Sequence, residues 1–126
     1  MTQPADNCCP AIRVMMMPRD TNAHGTIFGG VILSYIDQAG AIAAREHTRH
    51  KVVTVAMDKV EFKQPVQVGD VLSFYATLLK TGRTSITLRV WVEAERFENP
   101  QERVGVTEAT LTYVAVDARR NAVPLH

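Results

Sequence analysis

The chain reads as an α+β domain in which one long helix is wrapped by a curved antiparallel sheet of about five strands, in the order strand, helix, four strands. Three observations predict this. Val31 to His47 has no period-2 alternation and is apolar around most of its helical circumference. Four later segments alternate apolar and polar residues, as strands with one buried face do. Between those segments stand short clusters of Gly, Pro, Asn and Asp, the residues of turns.

The elements follow in order. Met1 to Pro10 carries no periodicity and reads as an N-terminal tail; with acidic Asp6 and no basic stretch it does not resemble a secretory leader. Ala11 to Met17 is short and apolar, a first strand that Pro18 ends because proline lacks the N–H a ladder needs. Arg19 to Gly30, rich in Asp, Thr, Asn and Gly, is a loop. In the helix Val31 to His47, a 100° projection puts Ser34, Gln38 and Arg45 on one narrow polar stripe and leaves Val31, Ile32, Leu33, Ile36, Ala39, Ile42 and Ala43 to be covered.

Strands are then expected over Val52 to Lys63, Val71 to Lys80, Thr84 to Glu95 and Val104 to Asp117. The second of these lines up Leu72, Phe74, Ala76 and Leu78. The third sets Ile86, Leu88, Val90, Val92 and Ala94 against Thr87, Arg89, Trp91 and Glu93, the latter face being the wetter one. Pro65 to Asp70, Thr81 to Arg83 and Phe97 to Glu102 are the turns. A sheet of this size has two open edges, and pairing one with its own copy across a two-fold axis would close it, so a dimer is expected.

Composition narrows the function classes. The 126 residues fit one domain, and 46% apolar content is normal for a folded protein. No apolar run reaches the roughly 18 residues of a membrane span. A formal net charge of +1 gives no general attraction to nucleic acid or membrane, so a phosphate site would have to be local. Cys8 and Cys9 are adjacent and form no disulfide framework or CxxC, which suits thiols in a reducing cytoplasm. His24, His47, His50 and His126 lack the spacing of a metal site, and none is expected.

Two features carry chemistry. Asp37 lies two turns into the apolar helix, where a carboxylate is costly unless paired, reached by a cleft, or neutralised. It is either a reactive group or the edge of the polar stripe, about 60° away. Gly29-Gly30 precedes the helix. Such a pair either exposes amides fit for a developing oxyanion or marks an entry too tight for a Cβ. Gly29 and Asp37 are eight positions apart, about 12 Å along a helix axis. One carbonyl cannot lie about 3 Å from both in one chain. If both act, Asp37 must meet the Gly29 amide of another subunit.

The order N-x-H-G-T-I-F-G-G over Asn22 to Gly30, then S-Y-I-D over Ser34 to Asp37, resembles the hotdog-fold acyl-CoA thioesterases, in particular the compact bacterial acyl-CoA hydrolases related to the two-domain cytosolic brain-type enzyme. The resemblance continues through E-F-K-Q-P-V-Q-V-G-D, with Phe62, Pro65 and Gly69-Asp70, through Gly82-Arg83-Thr84-Ser85, and through T-Y-V-A-V-D over Thr112 to Asp117. It implies a hotdog fold, protomers joined sheet to sheet, and further assembly, commonly into trimers of dimers. It implies hydrolysis of an acyl-CoA to free acid and CoA. Asp37 would be general base or nucleophile, and the Gly29 amide of the facing subunit the oxyanion donor. Asn22, His24 and Thr26 would line or order the loop, and Gly82, Arg83, Thr84 and Ser85 would hold coenzyme A. The chain departs from the family pattern at Thr26, usually Asn or Asp, and at His24, often Asn.

Chemically, an Arg fork with neighbouring hydroxyls and turn amides suits phosphate, and Lys80 could add charge; the same turn also reads as an ordinary hairpin. Lys59, Lys63, Arg89 and Arg96 read as ordinary surface charges. Ile32, Tyr35 and Ile36 are candidate walls of an acyl channel. No cofactor is implied beyond the coenzyme A of the substrate. His24 leaves open a hydratase or dehydratase acting on an enoyl-CoA, and a non-catalytic acyl-CoA binder is the alternative from another class. The absence of a helix-turn-helix pattern or basic patch speaks against a DNA-binding regulator.

Overall fold

A computed structural model of the chain describes residues 9–126. Cys8 and most of the expected N-terminal tail lie outside the described residues; Cys9 is exposed. The elements are β1 (Ile12–Met15), a 3-10 turn (Pro18–Asp20), α1 (Gly29–Ala44), a second 3-10 turn (Arg45–His47), β2 (Lys51–Phe62), β3 (Val71–Thr81), β4 (Ser85–Glu95) and β5 (Arg103–Val116). The order is the expected one. The helix begins at Gly29 rather than Val31, so both glycines lie inside its first turn, and its last residues tighten into 3-10 geometry.

The five strands form one antiparallel sheet in the order β1-β3-β4-β5-β2. β1 and β2 sit at opposite edges, so the connection between them must cross a face of the sheet, and α1 is that crossing. Its buried residues Ile32, Ile36, Ala39, Gly40 and Ala44 recur at the spacing of one helical face. They meet Leu72, Phe74, Leu88, Val90, Val92, Ala109, Leu111 and Tyr113 from the strands. Ser34, Gln38 and Arg45 are exposed, as the projection requires.

Two expectations need correction. Leu78 does not join Leu72 and Phe74 in the core. It is 38% exposed, because the β3–β4 register shifts between Leu78 and Lys80 and the strand end carries Leu78 and Leu79 outward. Nor is the far face of the sheet simply wet. Trp91 is fully buried there, stacked on its cross-strand partner Tyr75 at 5.4 Å and 19°, with the Arg89 guanidinium 4.9 Å from its ring. Large aromatics on adjacent strands shield each other where short polar residues would not.

Charges expected to be ordinary surface groups are also more specific. Glu108 accepts from Arg89 and pairs with Lys63 at 3.0 Å on that face. Burial opposes ionisation of Glu108, but the two cations outweigh it and hold the carboxyl below its ordinary range. Arg96 pairs at 2.7 Å with Asp70, whose side chain is nearly inaccessible and also accepts from the Phe97 and Gln67 amides. Arg96 reaches the Pro65 carbonyl as well, tying the β4–β5 loop to the β2–β3 loop.

Candidate active site

Asp37 sits on α1, half-buried, above β5 and β2. Its Oδ1 accepts from the Thr54 hydroxyl at 2.7 Å and lies 3.0 Å from the Tyr113 hydroxyl, which also donates to the Asp37 carbonyl at 2.7 Å. Tyr113 stands opposite Thr54 on one side and Ile86 on the other, so the three form one cross-strand row beneath the helix. Burial, then the neighbouring Asp37 carboxylate, push ionisation of the phenol well above its usual range, against a smaller effect of Thr54. It is therefore a neutral donor. Both donors engage Oδ1, and Oδ2 has no hydrogen bond among the described residues. A carboxylate held by one oxygen and open at the other can take a proton from water or attack a carbonyl.

Gly40 makes this contact possible. A Cβ there would collide with the Tyr113 hydroxyl, so a glycine lets the phenol reach the helix backbone. Thr54, Tyr113 and Gly40 carry no sequence signal that marks them as site residues. Tyr113 appeared only within the closing T-Y-V-A-V-D segment, and no local spacing links positions 37, 54 and 113.

The loop before α1 is knotted by Asn22. Its Oδ1 accepts from the His24 and Thr26 amides, its Nδ2 donates to Thr26 Oγ1 at 3.0 Å, and its own amide bonds the Thr26 carbonyl. Gly25 turns the tip at φ 85°, a left-handed conformation suited to glycine. Thr26 is therefore a loop-closing partner of Asn22, and its hydroxyl is already engaged. His24 sits exposed at the tip, with no hydrogen bond to its ring among the described residues. Ile27 N–H bonds the Val66 carbonyl and Phe28 N–H the Asp20 carbonyl, which aims the loop into the helix.

Gly29 faces the Phe62 ring, which a Cβ would meet at 3.3 Å. The entry is thus tight, and its amide, the first of the helix, has no hydrogen-bond partner among the described residues. A cleft of about 290 Å³ opens beside it, lined by Thr26, Gly29, Ile32, Phe62, Pro65 and Val66 among others. Of the acyl-channel candidates, only Ile32 borders this cleft. Ile36 is fully buried in the core, and Tyr35 packs on Phe74 with ring centres 5.7 Å apart.

Asp37 and Gly29 stand at opposite ends of β2, Asp37 at Thr54 and Gly29 at Phe62. One chain does not bring them together. The segment Gly82 to Ser85 is the β3–β4 turn, closed by a bond from the Gly82 amide to the Ser85 carbonyl. Its Arg83 and Thr84 carbonyls accept from Leu125 and Ala115, and Arg83 itself is exposed with no ion pair among the described residues. Ser85 pairs with Val114, next to the Tyr113 row, so this turn lies at the Asp37 end of the sheet. A larger cleft of about 720 Å³, between Asp70, Arg96, Phe97 and Glu102, lies at the other end. No cluster of three or more His, Cys, Asp or Glu able to hold a metal occurs among the described residues, and no helix there is long and apolar enough to cross a membrane.

Residues 24–98 match the model of the thioesterase superfamily. An uncharacterized acyl-CoA thioester hydrolase of Haemophilus influenzae is 46% identical over 117 residues, covering 90% of this chain and 76% of that one. The acyl-CoA thioester hydrolase YciA of Salmonella typhimurium is 45% identical over 90% of this chain and 87% of its own. Among solved structures, a hexameric hotdog fold thioesterase of Campylobacter jejuni superposes with a TM-score of 0.90 at 46% identity, covering 96% of this chain and 92% of that chain. One helix laid across an antiparallel five-stranded sheet is the hotdog fold, and this chain belongs to the thioesterase superfamily.

Proposed function

We infer that the chain hydrolyses the thioester of acyl-CoA substrates to a free carboxylic acid and CoA. The observation that carries the reading is Asp37, a helix carboxylate fixed through Oδ1 by Thr54 and Tyr113 and open at Oδ2. The family and the hydrolase relatives support the same reaction. A hydratase has no comparable support, since the His24 ring it would use stands exposed at the loop tip.

In the base route, Oδ2 takes a proton from water as the water oxygen bonds the thioester carbon. The carbon–sulfur bond then breaks, and the CoA thiolate recovers a proton. In the nucleophile route Oδ2 itself attacks the thioester carbon, the carbon–sulfur bond breaks to release the CoA thiolate, which takes up a proton, and water cleaves the resulting mixed anhydride to the free acid and the Asp37 carboxylate. Either way negative charge grows on the carbonyl oxygen, and an amide donor there is worth about 10²–10³ in rate. We assign that donor to the Gly29 amide of a second subunit. Antiparallel pairing of β2 with its own copy, centred near Asp58, sets Thr54 of one protomer opposite Phe62 of the other. That register brings Asp37 to the Gly29 end of its neighbour. Asn22, His24 and Thr26 order the donor loop, and Ile32 lines the acyl cleft. A trimer of such dimers is our proposed assembly, supported by the hexameric state of the similar Campylobacter jejuni protein. The reaction consumes only water, calls for no metal or redox cofactor, and belongs in the cytoplasm.

The test is thiol release from acetyl-, hexanoyl-, palmitoyl- and benzoyl-CoA by the wild type and by Asp37→Ala. Release that falls by orders of magnitude in an equally folded variant supports the reading. Release that survives removes Asp37 from the chemistry.

A further inference from the structure

The net charge of +1 conceals a strong separation along the sheet. Arg13, Lys63, Arg89, Arg96 and Arg103 are engaged in ion pairs with Glu61, Glu95, Glu108 and Asp70. Nine cations make no ion pair among the described residues. Arg19 and Lys59 lie elsewhere, whereas Arg45, Arg49, Lys51, Lys80, Arg83, Arg119 and Arg120 all lie at one end of the molecule.

The hydrogen bonds join them into that end. The Leu125 amide donates to the Arg83 carbonyl, and the Leu125 carbonyl accepts from Thr48, just before Arg49 and Lys51. Lys51 pairs with Val116, which bridges to Ala122, closing the turn that carries Arg119 and Arg120. The acids here are few: Glu46, and Asp117, whose carboxylate is engaged by the Arg119 and Asn121 amides. Glu61, Asp70, Glu93, Glu95, Glu98 and Glu102 occupy the opposite end, roughly 30 Å away along strands of this length.

We propose that Arg49, Lys51, Arg119 and Arg120 extend the Arg83 turn into one anion-binding end that captures the phosphates of the coenzyme A nucleotide. This rests on the reading of the substrate as an acyl-CoA. The nucleotide carries a diphosphate and a phosphomonoester, about four negative charges in all. The cationic end begins about three residues, roughly 10 Å, beyond the Ile86–Tyr113–Thr54 row under Asp37. The pantetheine arm is long enough to span that gap and leave the thioester at the carboxylate. Unpaired cations beside a site raise the capture rate of a polyanion and make it sensitive to salt.

The experiment compares the wild type with a variant carrying Arg49→Gln, Lys51→Gln, Arg119→Gln and Arg120→Gln, leaving Arg83 in place. Calorimetric titration with CoA and with pantetheine is run at low and high salt, and hydrolysis of an acyl-CoA is set against that of the same acyl group on N-acetylcysteamine. The expected result is tenfold or greater loss of CoA affinity in the variant, a flatter salt dependence, and a matching fall in preference for the CoA thioester. Unchanged CoA affinity and preference in a variant with wild-type circular dichroism overturn the proposal. Salt-dependent CoA binding that the variant loses, without hydrolysis of any thioester by the wild type, sustains this site and defeats the hydrolase reading instead. Should the fourfold variant fail to fold, the pairs Arg49→Gln/Lys51→Gln and Arg119→Gln/Arg120→Gln are read separately by the same criteria.

Discussion

The Tyr113 hydroxyl donates at 2.7 Å to the Asp37 carbonyl and lies 3.0 Å from Oδ1 of the same residue. One phenol thus fixes both the helix backbone and the carboxylate it carries. Removing it by Tyr113→Phe keeps the ring in the core and takes away the donor. Hydrogen bonds to charged groups contribute about 1.5–3 kcal/mol, so kcat should fall about 10- to 100-fold, with KM nearly unchanged. Steady-state kinetics showing an intact kcat would exclude Tyr113 from positioning Asp37.

Gly40 gives access to the same contact from the opposite side. The methyl of Gly40→Ala meets the hydroxyl and must push it off Asp37. Activity should drop as far as in Tyr113→Phe, and the double variant should lose less than the product of the two single effects, because both act on one hydrogen bond. Multiplicative effects in the cycle would show that Gly40 matters for some other reason.

Asp70 is the position where stability is most exposed to a single change. Its buried carboxylate holds Arg96 and two backbone amides. Asp70→Ala leaves Arg96 without its partner at a buried contact, which typically costs about 3–5 kcal/mol. Arg13→Ala, whose ion pair with Glu95 is half in solvent, should cost under about 1 kcal/mol. Urea denaturation of the two variants checks the contrast; equal midpoints would contradict it.

Acid sensitivity should run through Glu108. Its folded-state pKa lies below the ordinary value of 4.5, so its pairing stabilises the fold above that value and is lost as pH falls through the lowered one. Glu108→Gln removes this contribution. The stability gap between wild type and variant should be full at pH 6 and shrink steadily below pH 4.5. A gap that stays constant across a thermal-melt series from pH 6 to 3 would place the effect in packing rather than charge.

Val55, 55% exposed on the open β2 edge, tests the composite site. Val55→Asp puts a charge within the proposed strand pairing, three residues from its centre near Asp58. The expected product is a folded species of lower mass by light scattering, with hydrolysis reduced at least about 100-fold, since it loses the amide donor that is worth 10²–10³. A monodisperse monomer with full activity would refute the shared site.

The architecture was legible in the chain because it is written in local periodicity. The helix from Val31 and the alternation through Ile86 to Ala94 are each visible within a short window. The eight-residue spacing of Gly29 and Asp37 also required separation, and the structure sets the two at opposite ends of β2. What was not legible depends on pairings distant in sequence. Nothing near Asp37 announces Thr54 or Tyr113, which reach it only because β2 and β5 are in register. Arg96 reads as a surface charge in the sequence, and only Asp70, remote along the chain, makes it one half of a buried pair. Trp91 sits at a position that alternation assigns to water, and its burial comes from Tyr75 and Arg89.

The open edge of β2 also bears on the life of the newly made chain. It is long, contains no proline and exposes Val55 and Phe62, so despite two register shifts and the charges of Asp58, Lys59 and Glu61 it still offers a partner strand its open side. Here blunting it would remove the contact that completes the proposed site. With the site shared as proposed, an unassembled protomer is both adhesive and inert. Finding its own copy relieves the two conditions at once, so the chain gains catalytic competence at the step that ends its risk of aggregation.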